Sequence, residues 1–251
     1  MYRGALQRGG IPPPASTIAR NAPISPYNGC MKPSEHPFSA LTPDFVLDAL
    51  DTVGMRGDGR LLALNSYENR VYLAGVEDAK PVVVKFYRPD RWSDAAILEE
   101  HGFSRELAEA EVPAVAPLAF EGRTLNPCGG LRFAVFPLRG GRAPELDDPD
   151  VLEWIGRFLG RIHAVGMQGH FEARPTLDIA GFGHGPRAWL LENAGIPSFL
   201  REAYETVSAQ ALDGVARSFE RAGDVASMRL HGDCRIVIGC QHTIVSRNAC
   251  H

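Results

Sequence analysis

Apolar positions follow two rhythms along this chain, a short one typical of strands in its first half and a helical one in its second. Between Thr42 and Gly54, the residues Phe45, Val46, Ala49, Leu50 and Val53 share one helical face. Thr42 stands there as N-cap, Pro43 at the first helical position and Gly54 as the stop. Apolar, β-branched runs then predict strands at 60–66, 69–76 and 81–87, the last two joined by the turn Glu77-Asp-Ala-Lys80. A helix is expected from Ser93 to about Glu111, followed by strands at 115–120 and 131–138 around the turn Glu121-Gly-Arg-Thr124.

Beyond Arg139-Gly-Gly-Arg142 the rhythm is helical, and this glycine pair reads as a hinge. One helix is predicted over 149–165, with Val151, Leu152, Ile155, Phe158, Leu159 and Ile162 inward and Gly156 and Gly160 leaving room for a neighbour. Two more fit 187–194 and 197–221, and 226–234 reads as a short strand entering a polar turn. The order predicts an α+β fold in four parts. These are a disordered extension at 1–37, rich in Pro, Gly, Ser and Asn, a strand-rich lobe at 38–139, a partial helical lobe at 140–234 and an atypical tail at 235–251. An upstream start-site misassignment, with Met31 as the true start, would account for the extension.

Charge narrows the function classes. The chain of 251 residues carries a net charge of −4, which argues against a nucleic-acid binder working by bulk electrostatics. No apolar run approaches the roughly 18–20 residues that cross a bilayer, and the first residues lack the apolar core of a secretory signal, so the expectation is a cytoplasmic protein with no membrane partner. Five cysteines, Cys30, Cys128, Cys234, Cys240 and Cys250, show no metal-binding spacing; reduced thiols are expected, with a disulfide among the last three as the alternative.

Lys32, Lys80 and Lys85 are the only lysines, against twenty-three arginines. Lys85 sits within Val82-Val-Val-Lys-Phe-Tyr87, where an ammonium on a flexible stem suits phosphate oxygens; the plainer alternative is an edge-strand lysine facing water. Glu99 and Glu100 follow on the next helix, and one of them can hold Lys85 toward phosphates. One is expected to face in and the other out, with Glu100 favoured for the pair. His231-Gly-Asp233 places a carboxylate on a turn, where it can accept a proton from a hydroxyl, or can simply be a turn.

Together these features resemble a known family. Asn65-Ser-Tyr-Glu-Asn-Arg-Val-Tyr72, Val84-Lys-Phe-Tyr-Arg-Pro-Asp-Arg-Trp92, Ile97-Leu-Glu-Glu-His101, Glu111-Val-Pro113, Phe133-Ala-Val-Phe-Pro137, Gly156-Arg-Phe-Leu-Gly-Arg-Ile-His163 and Arg229-Leu-His-Gly-Asp-Cys234 are similar to the bacterial stress response kinase A family, serine/threonine protein kinases of the aminoglycoside-phosphotransferase-like superfamily. The resemblance implies a protein-kinase-like two-lobe fold, with an antiparallel sheet plus helix first and an incomplete helical lobe after it. It implies ATP bound between the lobes near Phe136 to Gly141, contacted by Ser66 and held by Lys85, with Mg²⁺ as cofactor. Asp233 would accept the proton of a protein serine or threonine hydroxyl, in a monomer acting in stress responses.

The resemblance breaks after Cys234. The family continues with a histidine, two small residues and a magnesium-binding asparagine, then an aspartate in an acidic run; here Arg235, Ile236, Val237 and Ile238 follow, and no Asp or Glu comes after Asp233. A truncated or out-of-frame end is the expectation, with no metal ligand in place and catalysis impaired. Cys240, His242, Cys250 and His251 match no common zinc spacing. Trp154, Phe158 and Leu159 are expected to lack part of their packing, with marginal stability or aggregation as the consequence. The alternatives are a small-molecule phosphotransferase of the aminoglycoside or choline type and a non-catalytic nucleotide-binding pseudokinase.

Overall fold

Helix α1, Pro43–Thr52, begins where the chain offers both a cap and a proline: the Thr42 hydroxyl accepts the Phe45 N–H at 3.2 Å, and Pro43 needs no donor there. The computed structural model describes residues 37–140, 145, 147–193 and 195–232. Strands β1 (Gly57–Leu64), β2 (Arg70–Val76) and β3 (Val82–Tyr87) follow, then α2 (Asp94–Glu109), capped by Ser93. Strands β4 (Asn126–Cys128) and β5 (Leu131–Pro137) complete an antiparallel sheet of order β1-β2-β3-β5-β4. Helix α3 (Pro149–Gly166) starts from an Asp148 cap; a π-helical turn leads into α4 (Gly185–Glu192), and a 3₁₀ turn into α5 (Arg201–Ala222).

Strand β3 is the centre of this sheet, and all six of its residues are buried. Period-two alternation sends Val82, Val84 and Phe86 to the face covered by α1, where they join Val46, Leu50, Phe133 and Val135. Phe86 is the ring hub, with Phe133 at 5.6 Å, Phe45 at 6.1 Å and Tyr72 at 6.3 Å between centroids. The same alternation places Val83, Lys85 and Tyr87 on the other face, where Tyr87 packs with Ile97 of α2 and with Ala134. A single register therefore fixes both a core and the direction of the lone lysine.

Three sequence expectations are corrected. Residues 115–120 form no strand: Pro113 and Pro117 remove backbone donors, and the segment is tied down instead by the Leu118 N–H on Val135 O at 2.8 Å and a bridge between Phe120 and Arg123. Strand β4 takes the sheet edge, where the missing N–H of Pro127 is tolerated. Among the described residues no neighbour approaches Gly156 or Gly160; Gly166 is the crowded glycine of α3, since a methyl there would meet the Arg229 carbonyl oxygen at 2.2 Å. The segment 226–232 is no strand either, but docks on the end of α3 through the Arg229 N–H to Gly166 O.

Phe158 is buried with Phe103, Leu107, Val112 and Ile162, and Trp154 packs against the same cluster, its ring 4.5 Å from that of Phe158. On α3 itself Leu152 is exposed and Trp154 and Leu159 are only partly buried, and α5 buries none of its residues and exposes Val207, Val215 and Phe219. Among the described residues no helix is long and apolar enough to cross a membrane.

Candidate functional site

Lys85 is only 5% exposed, on the central strand rather than an edge. Its Nζ lies 3.0 Å from Glu100 Oε1 and 4.6 Å from the centre of the Tyr87 ring. A buried ammonium is tolerable only with such partners, because leaving it unpaired costs several kcal/mol (on the order of 3–5). Glu100 Oε2 also accepts from Arg174 Nη1 at 2.9 Å, so one carboxylate bridges two cations.

Helix α2 works as a keel through three of its glutamates. Glu99 is not turned to solvent, contrary to expectation: its carboxylate accepts the backbone N–H groups of Glu172, Ala173 and Arg174 at 2.6–3.1 Å. Glu106, about two helical turns further on and so on the Glu99 side of the helix, receives the Arg229 guanidinium in two hydrogen bonds of 3.1 and 2.7 Å. Arg229 also donates to Val165 O at 3.1 Å and lies 4.8 Å from the Phe103 ring. Both later segments are thus hung from the helix that holds Lys85. Sequence reasoning missed the roles of Arg174, Glu106 and Arg229, whose partners lie far along the chain.

Ser66 lies in the loop 65–69 between β1 and β2, half-buried, its hydroxyl donating to Leu64 O at 3.4 Å. The loop is drawn onto the β3–α2 connection. Glu68 accepts from Arg91 Nε and Trp92 Nε1, both at 2.9 Å, and Asn69 Oδ1 accepts the Arg88 N–H at 3.1 Å. Tyr67 at its tip is fully exposed. Asp233 lies outside the described residues, as do Gly141 and Arg142 of the glycine hinge and the tail from Cys234 on. The residues just before it are placed: Arg229 as above, and Gly232 with φ of 78°.

Behind Lys85 a buried histidine completes the polar network. His101 is 4% exposed, with Nε2 2.7 Å from the Tyr87 hydroxyl and Nδ1 2.8 Å from Thr124 Oγ1. Burial, with smaller help from the Lys85 and Arg174 charges, lowers its pKa to about 4 against the opposing pull of Glu100. Burial, followed by the Glu100 charge, raises Tyr87 well above the usual phenol value. Both groups are neutral at physiological pH, and among the described residues the ion pairs joined here are Lys85–Glu100 and Arg174–Glu100.

Among the described residues no three His, Cys, Asp or Glu side chains come together as a metal site.

The model of the family "Phosphotransferase enzyme family" matches residues 60–236. Stress response kinase A of Salmonella typhi is 45% identical over 197 residues, covering 78% of this chain and 60% of that protein. The protein of the same name from Escherichia coli K12 is 44% identical over 204 residues, covering 81% and 62%, and serine/threonine protein kinase RdoA of Salmonella typhimurium is 44% identical over 197 residues, covering 78% and 60%. The chain thus spans about 60% of the length of these relatives. Among solved structures, spectinomycin phosphotransferase with ADP and spectinomycin superposes with a TM-score of 0.53 at 10% identity, covering 81% of this chain and 67% of that one. The microcompartment-associated aminopropanol kinase gives 0.52 at 23%, covering 73% and 62%. At these identities the likeness is one of fold, the kinase-like fold of phosphotransferases.

Proposed function

Because this chain belongs to the phosphotransferase enzyme family, in its stress response kinase group, we propose that it binds ATP against Lys85 and is built to pass the terminal phosphoryl group to a protein serine or threonine hydroxyl. The observation that carries the reading is the buried Lys85 held by Glu100 on the α2 side of the sheet. Phosphoryl transfer asks a protein mainly for positioning and charge neutralisation. Lys85 supplies a fixed cation for the phosphates, and Ser66 with its loop backbone supplies short polar contacts from the neighbouring strands. Asp233 is the proposed acceptor of the hydroxyl proton, on a segment that Arg229 anchors to Glu106.

No step is routed through magnesium: among the described residues no three His, Cys, Asp or Glu side chains come together. Arg235, Ile236, Val237 and Ile238 stand where the family carries a histidine, two small residues and an asparagine, so turnover of this chain is proposed to be severely impaired, and that departure favours a second reading, a nucleotide-binding module that does not transfer phosphate. The expected site of action is the cytoplasm, as a monomer.

Thermal unfolding with and without ATP, alongside transfer of radiolabelled phosphate to a generic acceptor protein, tests both. At about 100-fold excess over Kd a ligand stabilises by about 2.7 kcal/mol, which for a chain of this size raises Tm by roughly 5–10 °C. A shift with feeble transfer to protein is expected. A shift with no transfer at all supports the second reading, and absence of any shift overturns both. Transfer to an amino sugar or amino alcohol rather than to protein overturns the proposed acceptor.

A further inference from the structure

Arg174 is held more firmly than a surface arginine needs to be. Its Nη1 donates to Glu100 Oε2 at 2.9 Å and to Ala96 O at 3.1 Å, and its own backbone N–H donates to Glu99 at 3.0 Å. Its guanidinium lies 4.7 Å from the centre of the Trp92 ring, which Arg91 also contacts at 4.5 Å. Trp92 in turn donates its indole N–H to Glu68 of the β1–β2 loop. From this one guanidinium, a branch through Glu100 reaches Lys85 and a branch through Trp92 reaches the loop that carries Ser66.

We propose that Arg174 is a positioning residue for nucleotide phosphate binding: it orients Glu100 beneath Lys85 and keeps that carboxylate from cancelling the lysine charge. The proposal rests on the nucleotide reading above and deepens it. A lysine stem is flexible and its ammonium has no preferred plane, so a carboxylate free to turn would let the pair swing. The planar arginine fork, stacked on an aromatic face and bonded to a helix carbonyl, removes that freedom from Glu100. The electrostatic effect acts in the same direction. One carboxylate shared by two cations leaves positive field for an incoming polyphosphate, whereas a lone Lys85–Glu100 pair is nearly neutral. The arrangement also makes phosphate binding depend on the docking of residues 172–174, since the backbone of that segment is what Glu99 holds.

The test compares ATP and adenosine affinities of the full chain with those of R174Q, R174K, K85M and the double variant R174Q/K85M by calorimetric titration. R174Q is expected to weaken ATP about tenfold with adenosine unchanged, because only the phosphates meet Lys85. R174K, which keeps the charge and loses the fork, is expected to fall between. R174Q added to K85M is expected to weaken ATP by less than R174Q does alone, because the ammonium that Glu100 positions is already gone. A purely structural arginine would instead lower Tm and weaken both ligands, or add its full effect on top of K85M; either result overturns the inference. ATP affinity lost in K85M but kept in R174Q overturns this inference alone, and no ATP binding by the unaltered chain overturns the nucleotide reading and this inference with it. Should R174Q fail to fold, R174K decides: weaker ATP with unchanged adenosine supports the role, and equal effects on both ligands, or none, contradict it.

Discussion

Lowering the pH should destabilise this fold through His101 in a window set by burial. Folded, the imidazole titrates at about 4; unfolded, it returns to the ordinary value of 6.5. Between those values the unfolded chain binds more protons than the folded one, so stability falls as pH falls from 6.5 toward 4 and flattens below. Above 6.5 the residue contributes no pH dependence. The full difference corresponds to roughly 3 kcal/mol, and about 2 kcal/mol of it should be lost by pH 5. The cause is structural: the ring is 4% exposed, its two nitrogens are engaged by Tyr87 and Thr124, and the Lys85 and Arg174 charges oppose a third cation while Glu100 favours it only in part. Urea unfolding at pH 7, 6 and 5 reads the effect, with H101F as the reference for every carboxylate that titrates in the same range. The variant loses two hydrogen bonds and starts less stable, so the comparison is of slopes. The difference between the curves should shrink by about 2 kcal/mol from pH 7 to pH 5. A constant difference would show that the buried ring is not held neutral, and the reasoning would fail.

Two other expected outcomes concern packing. Phe86→Ala, at a ring with no solvent exposure and three aromatic neighbours, should cost about 3–5 kcal/mol in urea unfolding; a loss under about 1 kcal/mol would mean that α1 does not pack on β3 as described. Gly166→Ala sets helix propensity, worth up to about 1 kcal/mol in its favour, against a methyl 2.2 Å from Arg229 O. The clash should win by about 1–3 kcal/mol and expose Arg229 to trypsin, whereas a more stable variant would contradict the docking of 226–232.

What the sequence made legible was local. The cap at Thr42 with the proline after it, the helix start at Ser93 and the buried run around Lys85 are written within a few residues of where they act, and they bring the sheet and α2 together. What escaped depends on partners far along the chain. Glu99 meets backbone 73–75 residues away and Glu106 meets Arg229 at a separation of 123, so no helical phase could have shown that adjacent glutamates both face the protein. Residues 115–120 looked like a strand because their apolar content matched; the prolines, which decide whether a ladder can form, carried the contrary signal. Glycine spacing on α3 pointed to Gly156 and Gly160, because crowding at Gly166 comes from a segment that the helix pattern does not contain.

The central claim is that Lys85 is a phosphate clamp, and calorimetric titration of ATP and of adenosine into the unaltered chain and into K85M tests it most directly. Methionine preserves most of the stem, gives up the Nζ contact with the Tyr87 ring and leaves Glu100 bonded to Arg174. ATP should bind at least about tenfold more weakly to K85M, in line with loss of one charge-assisted contact, while adenosine binds both proteins equally. Undiminished ATP affinity in K85M, or a loss shared equally by adenosine, would contradict the claim.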